Sequence, residues 1–272
     1  MHNCNSLDVR KFYDDRCSIY DSCYLDTFSL MYDDVTWYYL DKFLKHLPKD
    51  SQILDLGCGT GYVSIGLLER GFKNITAMDI SEGMLDIFKE NLRKINESSA
   101  LDVNIVAGDF HYLNKVLNTK FDAIICQGSA LSCTQDFENV FSSIVTILNP
   151  GGWVNISVHS RIGSISKIVN GGNINDLPEA LNSGLWYWYE KGQQVHKMHL
   201  FAEEDFCHMV EKTKTKIVHI CGKLVIPRET ISQIKSNERS YKSALKFCKD
   251  YGENKRLIWL SEYIQATFVR GD

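Results

Sequence analysis

In ILDLGCGTGYVS, residues 53–64, an acid and three glycines stand at alternate positions: Asp55, Gly57, Gly59 and Gly61. Glycines after a short apolar run let a ligand come up to the main chain and expose the N–H groups of a following helix. Asp55 would repel a pyrophosphate there and attract a cationic group such as an ammonium. A dinucleotide-binding turn of the Gly-x-Gly-x-x-Gly kind needs glycine where Tyr62 stands. A phosphate-binding P-loop needs a following Gly-Lys-Ser/Thr, which is missing.

The segments around this turn must hold it in place. SQILDL reads as a strand and YVSIGLLER as a helix stopped by Gly71. NITAMDI is a strand, EGMLDIFKENLRKI a helix, VNIVAGD and FDAIICQ further strands. A helix is expected over 136–148, ended by the turn Asn149-Pro150-Gly151-Gly152, and GWVNISV is the next strand. Strands alternating with helices, the strands apolar throughout, mean a parallel sheet covered on both faces. Beyond it, 185–201 reads as two strands about a turn at Lys191-Gly192. AEEDFCHMVEKT reads as a helix, KIVHICGKLVIP as a strand, 229–260 as helical and YIQATFVR as a last strand.

The landmarks in this order resemble the class I S-adenosylmethionine-dependent methyltransferase superfamily, over about residues 50–225 plus the last strand. Asp55-x-Gly57-x-Gly59-x-Gly61 resembles its first motif, with Cys58 a small filler in the turn and Thr60 a helix cap or a ligand contact. Asp79, followed by Ile80, resembles the acid that holds the ribose hydroxyls, a charge-assisted contact. Asp109 and Phe110 resemble the adenine site, and Gln127 to Ala130 the active-site end of the fourth strand. Read alone, Asp79 and Asp109 serve equally well as helix caps. The resemblance implies a Rossmann-like α/β fold: a seven-stranded, mostly parallel sheet with helices on both faces, binding S-adenosylmethionine. An N-terminal helical lid over 1–48, with Tyr13 and Tyr20 against the cofactor, would precede the methyltransferase domain at 49–272. That domain would carry a substrate-cap hairpin at about 182–201 and a helical insertion at about 229–260.

Methyl transfer requires an acceptor aligned with the donor and water excluded; a base is needed only where the acceptor loses a proton. His159, just past the fifth strand, is the first candidate base, then His196 and His199. Tyr24 of the lid, Trp186 and Trp188 of the 185–201 segment, and Arg161 are the candidate acceptor contacts; sheet packing is the competing role for the tryptophans. The Asn/Asp-Pro-Pro-aromatic tetrad typical of base-amino methylation is replaced by Cys126-Gln127-Gly128-Ser129. Net charge is −4 and no global basic excess would hold a phosphate backbone. Residues 201–272 carry 13 Lys/Arg against 10 Asp/Glu, read as a solvated face.

A small-molecule acceptor, methylated on oxygen or nitrogen, is therefore expected, with nucleic acid and membrane not expected as partners and a monomer or homodimer as the assembly. The alternatives are an RNA or protein methyltransferase, or a cofactor-binding domain without catalysis. Nine cysteines without a Cys-x-x-Cys pair favour reduced thiols, and hence a cytoplasmic location, with no metal site. No apolar run is long enough for a membrane span, and the polar N-terminus has no signal-peptide core.

Overall fold

The computed structural model describes residues 4–95, 103–134, 136–171, 174–190, 193–234 and 237–271. Its strands are β1 Gln52–Leu56, β2 Asn74–Asp79, β3 Val103–Ala107, β4 Phe121–Cys126, β5 Leu148–His159, β6 Leu185–Glu190, β7 Gln193–His199, β8 Thr215–Gly222 and β9 Tyr263–Arg270. Its helices are α1 Cys4–Asp14, α2 Thr27–Leu44, α3 Tyr62–Glu69, α4 Glu82–Ile95, α5 Leu113–Val116, α6 Phe137–Thr146, α7 Ile165–Asn170, α8 Leu177–Ser183, α9 Glu203–Thr213, α10 Arg228–Ser232 and α11 Glu238–Tyr251.

Seven strands form one sheet in the order β3-β2-β1-β4-β5-β9-β8. The first five are parallel, while β9 runs antiparallel to both of its neighbours. The strand order reverses between β1 and β4, so the loops leaving their carboxyl ends diverge and open a crevice, the usual ligand position in such sheets. Alternation along β1 shows why the sheet needs cover on both faces. Leu54 and Leu56 join the core made with α6 and α9, and Ile53 joins the core made with α2 and α3. Asn149 to Gly152 lies inside β5 as a loop-out. The register passes directly from Phe121↔Leu148 to Ala123↔Trp153.

The segment read as one N-terminal lid divides in two. Leu40 and Leu44 of α2 pack on the sheet, and its Phe28, Met31, Val35 and Tyr39 pack on Ile231, Ala244 and Cys248 of α10 and α11. This helix is thus a core layer, held between the sheet and the helices of the 229–260 insertion. Residues of α1 and of the segment carrying the short turns at Cys17–Ile19 and Asp21–Tyr24 line the crevice, joined by the N-terminal half of α2 from Phe28 to Thr36. The hairpin β6–β7 forms a separate two-stranded sheet; the turn expected at Lys191-Gly192 falls outside the described residues. Among the described residues no helix is long and apolar enough to cross a membrane, no cluster of ligating side chains could hold a metal, and Cys17 and Cys23 form no disulfide.

Candidate functional site

The turn after β1 is fastened to β2 by two hydrogen bonds, in which Gly57 N and Cys58 N donate to Met78 O at 2.8 and 3.1 Å. All three glycines have positive φ, but for different uses. A Cβ on Gly61 would stand 1.9 Å from the Phe88 ring, so this glycine admits close packing of α4, and it lines neither of the two cavities described below. A Cβ on Gly59 would meet nothing within 4 Å, and Gly59 lines a cavity together with Gly57. Gly59 N–H is not available to a ligand, because it donates to Asp79 Oδ2 at 2.8 Å. Space, rather than free donors, is what the turn offers.

Asp55 is almost fully buried. Its Oδ2 accepts from both Ser64 N (2.9 Å) and Ser64 Oγ (2.6 Å), tying β1 to α3. Burial pushes its carboxyl up to about 7, against the pull of the Ser64 donors. Asp79 is also buried. Its Oδ1 accepts from Ser81 N at 2.9 Å, and burial raises its carboxyl above the usual range against its backbone donors. Each oxygen keeps lone-pair capacity for a further donor.

A narrow cavity of about 90 Å³ follows the turn. It is lined by the sequence-assigned Gly57, Gly59, Asp79, Ile80, Asp109, Phe110 and Gln127, with Tyr13 and Tyr20 laid over it from the N-terminal segment. The sequence reading missed Val9, Met84, His111, Cys133 and Thr134 in this lining. His111 was the legible one, since it sits two residues past Asp109. Its Nδ1 is 2.7 Å from Asp109 Oδ1 and its Nε2 is 3.2 Å from Thr134 Oγ1. The Asp109 carboxylate raises the imidazole pKa, and it also caps the turn at Phe110–Tyr112.

A second cavity of about 490 Å³ adjoins the first and shares Tyr13, Tyr20, Gly57, Gly59, Gln127 and Cys133 with it. Asp55 and Cys58 line this one, as do Tyr24, Trp188, His159 and His196. His159 is 4% exposed and its Nδ1 has no hydrogen-bond partner. Burial, with Lys167 and Arg228 nearby, holds its pKa well below the ordinary histidine value, so the ring is neutral at pH 7. His196 stacks at 6.4 Å on Trp188, and burial takes its pKa down to about 4.

Three candidates lie elsewhere. His196 and His199 are three residues apart on one strand and therefore point to opposite faces. His199 stacks on Phe137 at 4.4 Å and lies 3.3 Å from Asp205. Arg161, 9% exposed, pairs with Glu204 (2.7 Å) and Asp205 (3.0 Å) instead of facing the cavity. Trp186 is buried with Ile168, Ala180, Met198 and Leu200, so packing claims it, while Trp188 reaches the cavity.

Lys223 went unread because nothing around it in the chain marks a buried cation. It is fully buried, 3.2 Å over the Tyr32 ring, and it donates to Gln127 Oε1 at 3.3 Å. Gln127 Nε2 in turn donates to Asn155 Oδ1 at 2.6 Å, and Asn155 Nδ2 to Thr267 Oγ1 at 2.7 Å. A chain of buried polar groups across β4, β5 and β9 thus fixes the side chain that stands where the two cavities meet.

Residues 53–152 match a family model described as a methyltransferase domain. A Bacillus subtilis protein named as a methyltransferase, YqeM, is 30% identical over 156 residues, 56% of this chain and 60% of that protein. The glycine/sarcosine N-methyltransferase of Halorhodospira halochloris is 30% identical over 158 residues, 53% of this chain and 57% of that enzyme. The chain thus spans somewhat over half the length of these curated relatives. Among solved structures, the magnesium protoporphyrin IX methyltransferase of Synechocystis PCC 6803, with bound SAH, superposes with a TM-score of 0.62 at 14% identity. That superposition covers 98% of this chain and all of that one.

Proposed function

We propose that this chain, a member of the class I S-adenosylmethionine-dependent methyltransferase superfamily, transfers a methyl group from S-adenosylmethionine to an oxygen or nitrogen of a small metabolite. One observation carries the reading. The narrow cavity along the glycine turn opens, past Gln127, into an aromatic cavity of about 490 Å³, within the range of small-molecule sites. A macromolecular acceptor would call for an open groove; here the N-terminal segment and the hairpin β6–β7 flank the cavity.

The cofactor fits the residues present. Gly59 leaves open space at the main chain, and the buried acid Asp79, with Ile80, Asp109 and Phe110, lines the slot beyond it. Asp79 would accept from the ribose hydroxyls and Phe110 would pack on the adenine. Burial raises the Asp55 carboxyl to about 7, and a cation placed near the turn would favour its ionised form. When bound, S-adenosylmethionine supplies an electrophilic methyl on sulfonium. The chain's own part is to align the acceptor and exclude water. Where the acceptor is a hydroxyl, the neutral His159 Nδ1 is free to take its proton, and His196 is the second candidate.

Methyl-labelled S-adenosylmethionine tests this. The protein is incubated with it and a cell extract, and the dialysable metabolites, RNA and protein are then counted separately. Label in the dialysable fraction is expected. Label in RNA or protein alone, or bound cofactor without turnover on any fraction, would overturn the reading.

A further inference from the structure

Two cations in the lining of the larger cavity carry charge that methyl transfer itself does not call for. We propose that the acceptor is a small carboxylic acid whose carboxylate sits between Lys167 and Arg228. The proposal rests on the small-acceptor reading above and narrows it.

Both cations line the cavity, and one carboxylate serves them both. Glu262 accepts from Arg228 Nε and Nη2, each at 3.0 Å, and stands 3.3 Å from Lys167 Nζ. Arg228 Nη2 also donates to the Tyr263 hydroxyl at 3.3 Å, and none of the described contacts uses Nη1. The other near neighbours of the two cations are aromatic faces. Lys167 lies 4.4 Å over Trp188 and Arg228 lies 3.5 Å over Phe28. Such faces attract a cation without cancelling its charge. Asp26 also acts on Arg228, but it is an exposed helix cap that accepts from Ser29 N, a solvated charge.

The acids that line the cavity are engaged with other partners. Asp55 holds Ser64, Asp21 accepts from Thr60 Oγ1 at 2.6 Å, and Asp33 acts on the buried Lys223. None of these acids pairs with Lys167 or Arg228 in the described contacts, and Lys167 lies beside the hairpin through Trp188. Two cations against one buried carboxylate leave a single positive charge, which a carboxylate matches. A phosphate monoester, at about −1.5 to −2, would exceed it. Tyr24, Phe28, Trp188 and Tyr263 form aromatic walls beside the cations, suited to an apolar or planar body. The unpartnered Nδ1 of His159, whose ring lies 4.5 Å from that of Tyr263, stands in the same stretch.

The experiment uses the full-length protein, methyl-labelled S-adenosylmethionine and the dialysable fraction of a cell extract. The labelled product is weighed by mass spectrometry before and after amidation with a water-soluble carbodiimide and an amine, and after alkaline phosphatase. A phosphatase-resistant product that gains amide mass is expected. A product that gains none, or that loses phosphate, would overturn the carboxylate assignment while leaving small-molecule methylation standing. No labelled product in the dialysable fraction would overturn both. With the purified acceptor, Lys167→Met should raise KM about tenfold or more, the scale of a lost charge-assisted hydrogen bond. Lys167→Arg should recover most of this, and affinity for S-adenosylhomocysteine, measured by calorimetry, should stay as in the wild type. An unchanged KM in a Lys167→Met protein that still binds S-adenosylhomocysteine would contradict the seat.

Discussion

At the scale of single residues, the three glycines of the turn separate by what each one faces. Gly59→Ala places a methyl in the open space of the slot and strains a φ of +53°, a cost of about 1–2 kcal/mol to folding. The expected outcome is a folded protein whose affinity for S-adenosylhomocysteine drops by an order of magnitude or more, read by calorimetry. Gly61→Ala drives a methyl into the Phe88 ring at a φ of +94°. Strain and overpacking together should cost about 2–5 kcal/mol of stability by denaturant titration. Equal loss of stability in the two variants would contradict this division of roles. Lys167 adds a dependence on pH. Burial and Arg228 lower its pKa to about 8 while Glu262 opposes them. The groups facing it are Glu262, held ionised by the two cations, together with Arg228, Trp188, Tyr263 and His159. Above about pH 8 the ammonium loses its proton, so KM for an acidic acceptor should rise with pH there. His159, already neutral, contributes no change over that range. Lys167→Arg should flatten the rise, since a guanidinium stays charged; a rise that persists in that variant would assign it to another group.

At the scale of elements, the site depends on how β1, α3 and β2 are pinned together. Ser64 is fully buried, and both its N–H and its hydroxyl donate to Asp55. Ser64→Ala removes the 2.6 Å bond and leaves a buried carboxylate short of a donor. It should cost about 1–3 kcal/mol of stability in chemical denaturation. A change within experimental error would show that Asp55 does not hold the helix. The strands and helices of this half were legible because their signals are local: apolar runs, glycine stops, an acid closing β2. The second half was less so. The hairpin was readable from alternation at Leu185 to Tyr189, but alternation alone does not say which face meets a cavity. Trp186 went to a packing cluster and Trp188 to the cavity wall. Arg161 and His199 looked like site residues from their positions after β5 and in β7. Their actual partner, Asp205, lies on α9, a contact that chain order does not reveal. Lys167, Arg228 and Glu262 come from three separate elements, and no spacing links them.

At the scale of the whole molecule, the N-terminal segment closes the slot. Asp14 Oδ1 accepts from Ser81 Oγ (2.6 Å) and Gly83 N (3.1 Å), and Asp21 Oδ1 accepts from Thr60 Oγ1. These bonds tie residues 4–24 to the start of α4 and to the glycine turn. A slot of about 90 Å³ is far below the few hundred that a nucleoside-sized ligand occupies, so its lining has to give way to admit one, and this segment is the part expected to move. Asp21→Ala should therefore speed association of S-adenosylhomocysteine severalfold, followed by stopped-flow tryptophan fluorescence. An unchanged rate would mean the ligand enters without that movement. Formation of S-adenosylhomocysteine from S-adenosylmethionine reports on both cavities at once. The wild-type protein and Gly59→Ala are supplied with dialysable metabolites, and the product is quantified by chromatography. Steady formation by the wild type, dependent on the dialysable fraction and lost in Gly59→Ala, is the expected result. Formation that begins only when RNA or protein is added, or equal rates in the two proteins, would contradict it.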